Sequence, residues 1–391
     1  MIPVKCNKQD LTYLFKCNKL SAEVWNLCVK LDKEHKDKHG KSINQSELQK
    51  QTKKCVLFHS KNIHHVVHKY LFARDSAWES IKAKHENSHK VKLPYKHKKY
   101  FTSGWDYQAI KIDYEKGIIK LSKPKTEING KMKILKPVKC YSKSIPENIV
   151  EIELVWCGRL YFAVKYKEKA EYLQINSNNS AAIDLGEIHA ITSIDNNENA
   201  IIITGRQMRS FKRFRNKQQG ELRSKMDKCV KYSNQWKKYN RAMEKLKYKT
   251  DNKTNDALHK ITKQYMDYCI VNNVSKVYYG DLDSLTRDSK KNNIGHTYTR
   301  QKINQWEYGE LIKLLEPKLS RYGINLIKVK EYYTSQTCPN CKTRNKPKGR
   351  NYECGCGYIQ HRDVVGAINI LNDNDNRNVK YYRSKKYLQI T

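Results

Sequence analysis

Residues 181–205, AAIDLGEIHAITSIDNNENAIIITG, decide the fold of this chain. They contain three strand-like runs in quick succession, AAIDLG, AITSID and AIIITG, joined by polar turns too short for a crossover, so neighbouring runs must pair antiparallel. Outward from them, residues 206–270 form a long basic helical stretch, SKVYYGDL (275–282) returns to strand, and INQWEYGELIKLLEPKLSRYG (303–323) reads as a helix that Pro317 should kink. The strand INLIKVKE (324–331), a cysteine cluster and a last helix in HRDVVGAINIL (361–371) complete the order. Three antiparallel strands, then helix, strand, helix and strand, is the order of an RNase H type sheet.

Upstream, residues 1–90 carry apolar side chains at helical spacing, such as Leu11, Leu14 and Phe15, then Val24, Trp25, Cys28 and Val29. Residues 91–180 change to short alternating runs bounded by turns: QAIKIDYEKGIIKLS (108–122) and the hairpin NIVEIELVWCGRLYFAVKY (148–166). The polar segment INSNNS (175–180) marks a boundary. The expected architecture is α+β and multidomain: a helical unit over 1–90, an antiparallel β unit over 91–180, an α/β domain over 181–371 with an inserted zinc ribbon at 334–360, and a basic tail over 372–391. His64, His65 and His68 fall at helical spacing and read as surface or packing histidines, because no Cys or acid is arranged around them.

The 391 residues hold 77 Lys and Arg against 39 Asp and Glu, a formal net charge of +38. Such an imbalance repels itself unless a polyanion neutralises it, and the basic residues are spread along the chain rather than gathered in a tail, so nucleic acid is the expected partner. Residues 206–260 alone hold 18 Lys and Arg against 5 acids, a net of +13, with Arg206, Arg209, Lys212, Arg213, Arg215 and Lys217 leading the run. No apolar run reaches membrane-spanning length, and MIPVKCNKQD lacks the apolar core of a secretory signal, so an intracellular protein without membrane partners is expected, in the cytoplasm, or in the nucleus of a eukaryotic host.

Eight of the twelve cysteines are scattered singly, as reduced thiols in cores are. The other four form CPNCKTRNKPKGRNYECGCG (338–357): Cys338 and Cys341 at C-x-x-C spacing, then Cys354 and Cys356 at C-x-C spacing. Two pairs on turns can close a tetrahedral thiolate shell around a structural zinc ion. Asp184 stands where the first strand meets a turn, and Asp363 opens the last helix, where an acid also complements the helix dipole. In an RNase H order these two are corners of a carboxylate cluster for Mg²⁺ or Mn²⁺, hard ions that favour oxygen donors. A third acid is needed.

The run TSQTCPNC…CGCG…HRDVVGAINI, preceded by NQWEYGEL and IDLG, resembles the transposon-associated TnpB proteins and, with them, the Fanzor proteins and the type V CRISPR effectors. The resemblance covers residues 181–371 and implies a RuvC-like, metal-dependent DNA endonuclease guided by an RNA to target double-stranded DNA beside a short protein-read motif. By order and size the two upstream units resemble the family's recognition and wedge domains; a monomer is the expected state. Asp184 matches the first RuvC acid and Asp363 the last, with Val365 where the family often has Asn. The middle acid, a Glu in Glu-Asp-Leu in many relatives, corresponds to Gly280. Three explanations stand: Asp281 substitutes, the site is inactive, or the acid comes from elsewhere. Neighbouring strand residues point to opposite faces, which weighs against Asp281. Glu331 ends the adjacent parallel strand about 4.8 Å away and could reach the gap the glycine leaves; family subsets with a relocated middle glutamate, Fanzor among them, fit VKEYYTSQTC (329–338).

Overall fold

The computed structural model describes the chain except residues 84–89, 129–130, 169–171, 282–305, 348 and 390–391. It divides into two compact units, Met1–Ala170 and Glu171–Thr391.

The first unit has β1 (Ile2–Pro3), α1 (Lys8–His39), α2 (Gln45–Thr52), α3 (Ser60–Lys82), and then β2 (Ser103–Asp106), β3 (Ile110–Asp113), β4 (Ile118–Leu121), β5 (Lys125–Ile128), β6 (Lys131–Ile134), β7 (Val138–Tyr141), β8 (Ile149–Trp156) and β9 (Leu160–Tyr166). Asn7 caps α1 by accepting from the Asp10 N–H, and Gly40 ends it at φ 69°, donating its N–H to the Lys36 carbonyl. The strands form an antiparallel sheet in the order β1-β9-β8-β2, a second one in the order β3-β4-β7, and the hairpin β5-β6. Residue 90, expected to separate a helical from a β unit, is not a structural boundary. Leu14, Val24 and Trp25 of α1 and Val66 and Tyr70 of α3 share one core with Trp105, Ile119, Ile152 and Phe162 of the strands. The boundary expected at 180 falls at 170–171. His65, which the sequence leaves without a nearby acid, meets Glu151 of β8 at 2.5 Å; Lys69 and Lys165 bridge the adjoining Glu153.

The second unit has β10 (Asn179–Leu185), β11 (His189–Asp195), β12 (Asn199–Thr204), α4 (Arg206–Asp227), α5 (Asn234–Val271), β13 (Val274–Gly280), α6 (Tyr308–Ser320), β14 (Asn325–Val329), β15 (Asn351–Glu353), β16 (Ile359–His361), α7 (Arg362–Asp375) and β17 (Ser384–Leu388). Its six-stranded sheet has the order β14-β13-β10-β11-β12-β17. The first three strands in sequence pair antiparallel, β13 lies parallel to β10, and β14 lies parallel to β13, as the sequence order requires. The basic tail expected over 372–391 is structured in its described part: α7 runs to Asp375, and β17 pairs parallel with β12, from Asn199↔Ser384 to Ile203↔Leu388. Helix α6 continues through Pro317 to Ser320, with the proline one turn from its end.

Strand alternation sorts the two faces of this sheet. Ala181, Ile183, Val277, Ile201 and Ile203 pack against Leu258, Ile261 and Tyr265 of α5 and Leu311 and Leu315 of α6. Ala182, Ile194, Ile202 and Tyr278 pack against Val364, Ala367, Ile368 and Leu371 of α7. Asp184 and Gly280 follow Ala182 and Tyr278 by two residues, so they belong to the face that α7 covers. Asp281 belongs to the other.

Candidate nuclease and zinc sites

Three elements bring acids to the carboxyl edge of the sheet on the α7 face: Asp184 near the end of β10, Glu331 two residues beyond β14, and Asp363 in the first turn of α7. The register Ile183↔Tyr279 puts Asp184 level with Gly280, and Gly280↔Val329 puts Glu331 just past it. The Glu331 carboxyl occupies the space a side chain at 280 would fill: a Cβ there would lie 2.8 Å from Glu331 Cδ and 3.1 Å from its Cβ. Gly366 clears space in the same way on α7, since a Cβ there would lie 2.8 Å from Asp184 Oδ2. Asp281 is turned away, its N–H donating to the Val329 carbonyl and its carboxylate paired with Lys328 at 2.9 Å.

Electrostatics join the three acids. Burial, and then the negative charges of Glu331 and Asp363, push the Asp184 carboxyl well above the usual range, against the opposing field of Arg362. A carboxylate cluster with one member held against ionisation is a site that a cation would relieve. Carboxylate oxygens from three elements, with two glycines clearing space around them, are donors of the type that Mg²⁺ and Mn²⁺ favour.

Hydrogen bonds set the positions of the outer two. Thr334 Oγ1 donates to Glu331 Oε1 at 2.7 Å, and the Asn369 amide of α7 holds the carbonyls of Thr334 and Thr337 at 2.7 and 2.8 Å. Asp363 Oδ2 faces His189 Nδ1 at 2.8 Å and accepts from Arg350 at 3.0 Å. Burial raises the proton affinity of Asp363, but the His189 hydrogen bond and the charges of His361 and Arg350 outweigh it and hold the carboxyl below its ordinary range. A cavity of about 480 Å³ opens there, lined by Gly186, Glu187, His189, Arg350, Arg362 and Asp363. Sequence reasoning missed His189, Thr334, Arg350, Gly366 and Asn369. The usable signals were His189 five residues after Asp184, Gly366 three after Asp363, and Arg350 within the cysteine cluster.

The four ribbon cysteines come together with all their sulfurs within 4.8 Å of one another. Cys338 and Cys356 are 3.7 Å apart, and Cys341 and Cys354 are 3.5 Å apart. A tetrahedron of thiolates at about 2.3 Å from zinc has edges of about 3.8 Å, so the set fits the ion. Lys342 after the first pair (φ 60°) and Gly357 after the second (φ 85°) turn the two knuckles in left-handed conformation. A hydrogen bond from Thr343 lowers the Cys341 thiol to about 6, whereas burial raises Cys338 to about 12. Val365, at the position where Asn was expected, is fully buried against Cys338, Tyr352 and Tyr358. It ties α7 to the ribbon and leaves the carboxylates to Asp363.

Of the six basic residues expected to face nucleic acid, Arg209 meets Glu187 at 3.3 Å, Lys212 meets Glu307 at 3.5 Å and Arg215 meets Asp251 at 3.4 Å. Arg206 bonds the Tyr387 hydroxyl at 2.6 Å. Arg206, Arg213 and Lys217 are exposed.

Comparison with known proteins gives two family profiles: one described as "Cas12f1-like, TNB domain" matches residues 308–370, and one described as "Probable transposase" matches residues 163–286. The TnpB-like protein MJ0751 of Methanocaldococcus jannaschii is 30% identical over 192 residues, 48% of this chain and 66% of that protein. The TnpB-like protein L79 of Acanthamoeba polyphaga mimivirus is 30% identical over 137 residues, 34% of this chain. The match spans only 25% of the length of L79. Among solved structures, that of a Cas12f1-sgRNA-target DNA complex is similar in fold, with a TM-score of 0.66 at 17% identity, over 93% of this chain and 83% of that one. The profiles meet the sequence at IDLG, at the ribbon cysteines and at HRDVVGAINI, and the chain belongs to the TnpB family.

Proposed function

We propose that this protein is an RNA-guided, divalent-metal-dependent DNA endonuclease whose second unit is a RuvC-like, RNase H type domain. The observation that carries the proposal is the Glu331 carboxyl in the space left by Gly280, on the same sheet face as Asp184 and beneath the helix that bears Asp363. Asp184, Glu331 and Asp363 would hold Mg²⁺ or Mn²⁺, which when bound supplies an activated water and charge stabilisation at a DNA phosphodiester. Thr334 fixes one oxygen of Glu331 and so limits which oxygen is offered to an ion. His189 and Arg350 keep Asp363 ionised near neutral pH. The ribbon does no chemistry in this scheme; its zinc braces the chain that carries Arg350.

The +38 charge supports guide RNA and target double-stranded DNA as partners, with Arg206, Arg213 and Lys217 as the exposed contacts on α4. The helical and β parts of the first unit would serve the recognition and wedge roles in a monomer working in the cytoplasm, or in the nucleus of a eukaryotic host. Sequencing the RNA that copurifies with the expressed protein, then offering a duplex matched to that RNA with Mg²⁺, tests the proposal. A discrete RNA species and cleavage of the matched duplex are expected; a preparation without specific RNA would point to a transposase acting on its own.

A further inference from the structure

The first unit has an aromatic pocket that its core does not use. Phe15 of α1, Tyr100 and Trp156 at the end of β8 are 41%, 53% and 58% exposed, and with Asn18 and Leu160 they line a cavity of about 300 Å³. The Phe15 and Trp156 rings stand 5.7 Å apart at 55°, an open wedge. Its floor is fixed: the Asn18 carbonyl accepts from the Phe101 N–H at 2.9 Å, and the Asn18 side-chain oxygen accepts from the Ser103 N–H and hydroxyl. A large apolar side chain at helical spacing on α1 would ordinarily join the core, as Leu14 and Trp25 do. Phe15 instead faces solvent beside a second large ring.

The rim is basic. Exposed Lys16, Lys19, Lys99 and Arg159 each adjoin a lining residue in the chain, and segments 11–22, 92–105 and 154–167 contain no Asp or Glu. We infer that this wedge takes one unpaired nucleobase of a single-stranded nucleic acid, stacked on Trp156 and Phe15, with the flanking phosphates met by Lys16, Lys19, Lys99 and Arg159. Flat π faces suit any base, and the cations beside them in the chain suit the backbone. A second copy of this chain is disfavoured as occupant because it would bring like charge to the same rim. The inference rests on the nucleic-acid part of the proposed function and is independent of cleavage.

The test titrates the full-length protein with a uridine decamer and with an abasic phosphodiester chain of the same length, reading tryptophan fluorescence and affinity. The decamer should bind roughly tenfold more tightly than the abasic chain and should quench fluorescence, with much of the quenching lost in Trp156→Phe. Phe15→Ala with Trp156→Ala should bring the two affinities together. Equal affinities in the unaltered protein, or a preference that survives the double substitution, would overturn the inference while leaving nucleic-acid binding standing. Failure of both strands to bind would overturn both. A dimer in sedimentation that Phe15→Ala and Trp156→Ala dissociate would assign the wedge to a second copy instead.

Discussion

Gly280→Ala is the smallest change that tests the relocated glutamate. The added Cβ would stand 2.8 Å from Glu331 Cδ and 3.1 Å from Glu331 Cβ. Carbon contacts settle at roughly 3.5–4.0 Å, so the carboxyl must retreat by roughly 1 Å. What yields is the end of a flexible side chain, so folding should lose only about 1 kcal/mol, a melting shift of about 2–4 °C for a unit of this size. Displacing a reacting group by about 1 Å costs on the order of a hundredfold in rate. Cleavage of a matched duplex by the protein with its guide RNA, followed in single turnover beside a thermal melt, should therefore fall roughly a hundredfold with little change in melting. Undiminished cleavage would refute the placement of Glu331. A second arm restores the acid to the strand: Gly280→Glu combined with Glu331→Ala puts a carboxylate level with Asp184 on the α7 face and should cut faster than Glu331→Ala alone.

Two further expectations follow from the ribbon and from α4. Metal analysis should find one zinc per chain, and Cys354→Ser should lose it, expose residues 338–360 to protease and slow cleavage, because the same segment holds Arg350 on Asp363; cleavage unchanged after zinc loss would separate the ribbon from the site. Arg213→Glu with Lys217→Glu changes two exposed cations one helical turn apart and should weaken RNA binding while lowering the salt slope by about 1.4–1.8. Arg209→Ala, whose guanidinium already meets Glu187, should leave that slope nearly unchanged.

Strands β10 to β13 were legible because they are largely buried on both faces and so read as apolar runs. The opposite facing of Gly280 and Asp281 was legible from alternation along the strand, whereas Glu331, two residues beyond β14, was suggested by its place at the end of the neighbouring parallel strand. Strand β17 was not legible. It is an edge strand with four of its five residues exposed, so Lys385 and Lys386 read as a solvated tail. The two-residue β1 gives no pattern, yet its pairing with β9 and the shared core make one unit of what alternation and helical spacing divide at residue 90. His189 was hidden by the 174 residues between it and Asp363, whereas Arg350, 13 residues away, read as one more cation of the cysteine cluster. A hydrogen bond between a strand start and a helix start has no local signature. Lys212 and Arg215 illustrate the converse: composition registers their charge but not the acids that Glu307 and Asp251 bring to them.

The central claim is that Glu331 supplies the third acid of a guided nuclease site, and Glu331→Gln tests it most directly. The substitution keeps the side chain's size and its ability to accept from Thr334, but removes the charge. Binding and cleavage of a matched duplex are to be measured side by side with the copurified guide RNA and Mg²⁺. Binding like that of the unaltered protein with cutting abolished is the expected result; cutting at the unaltered rate would contradict it.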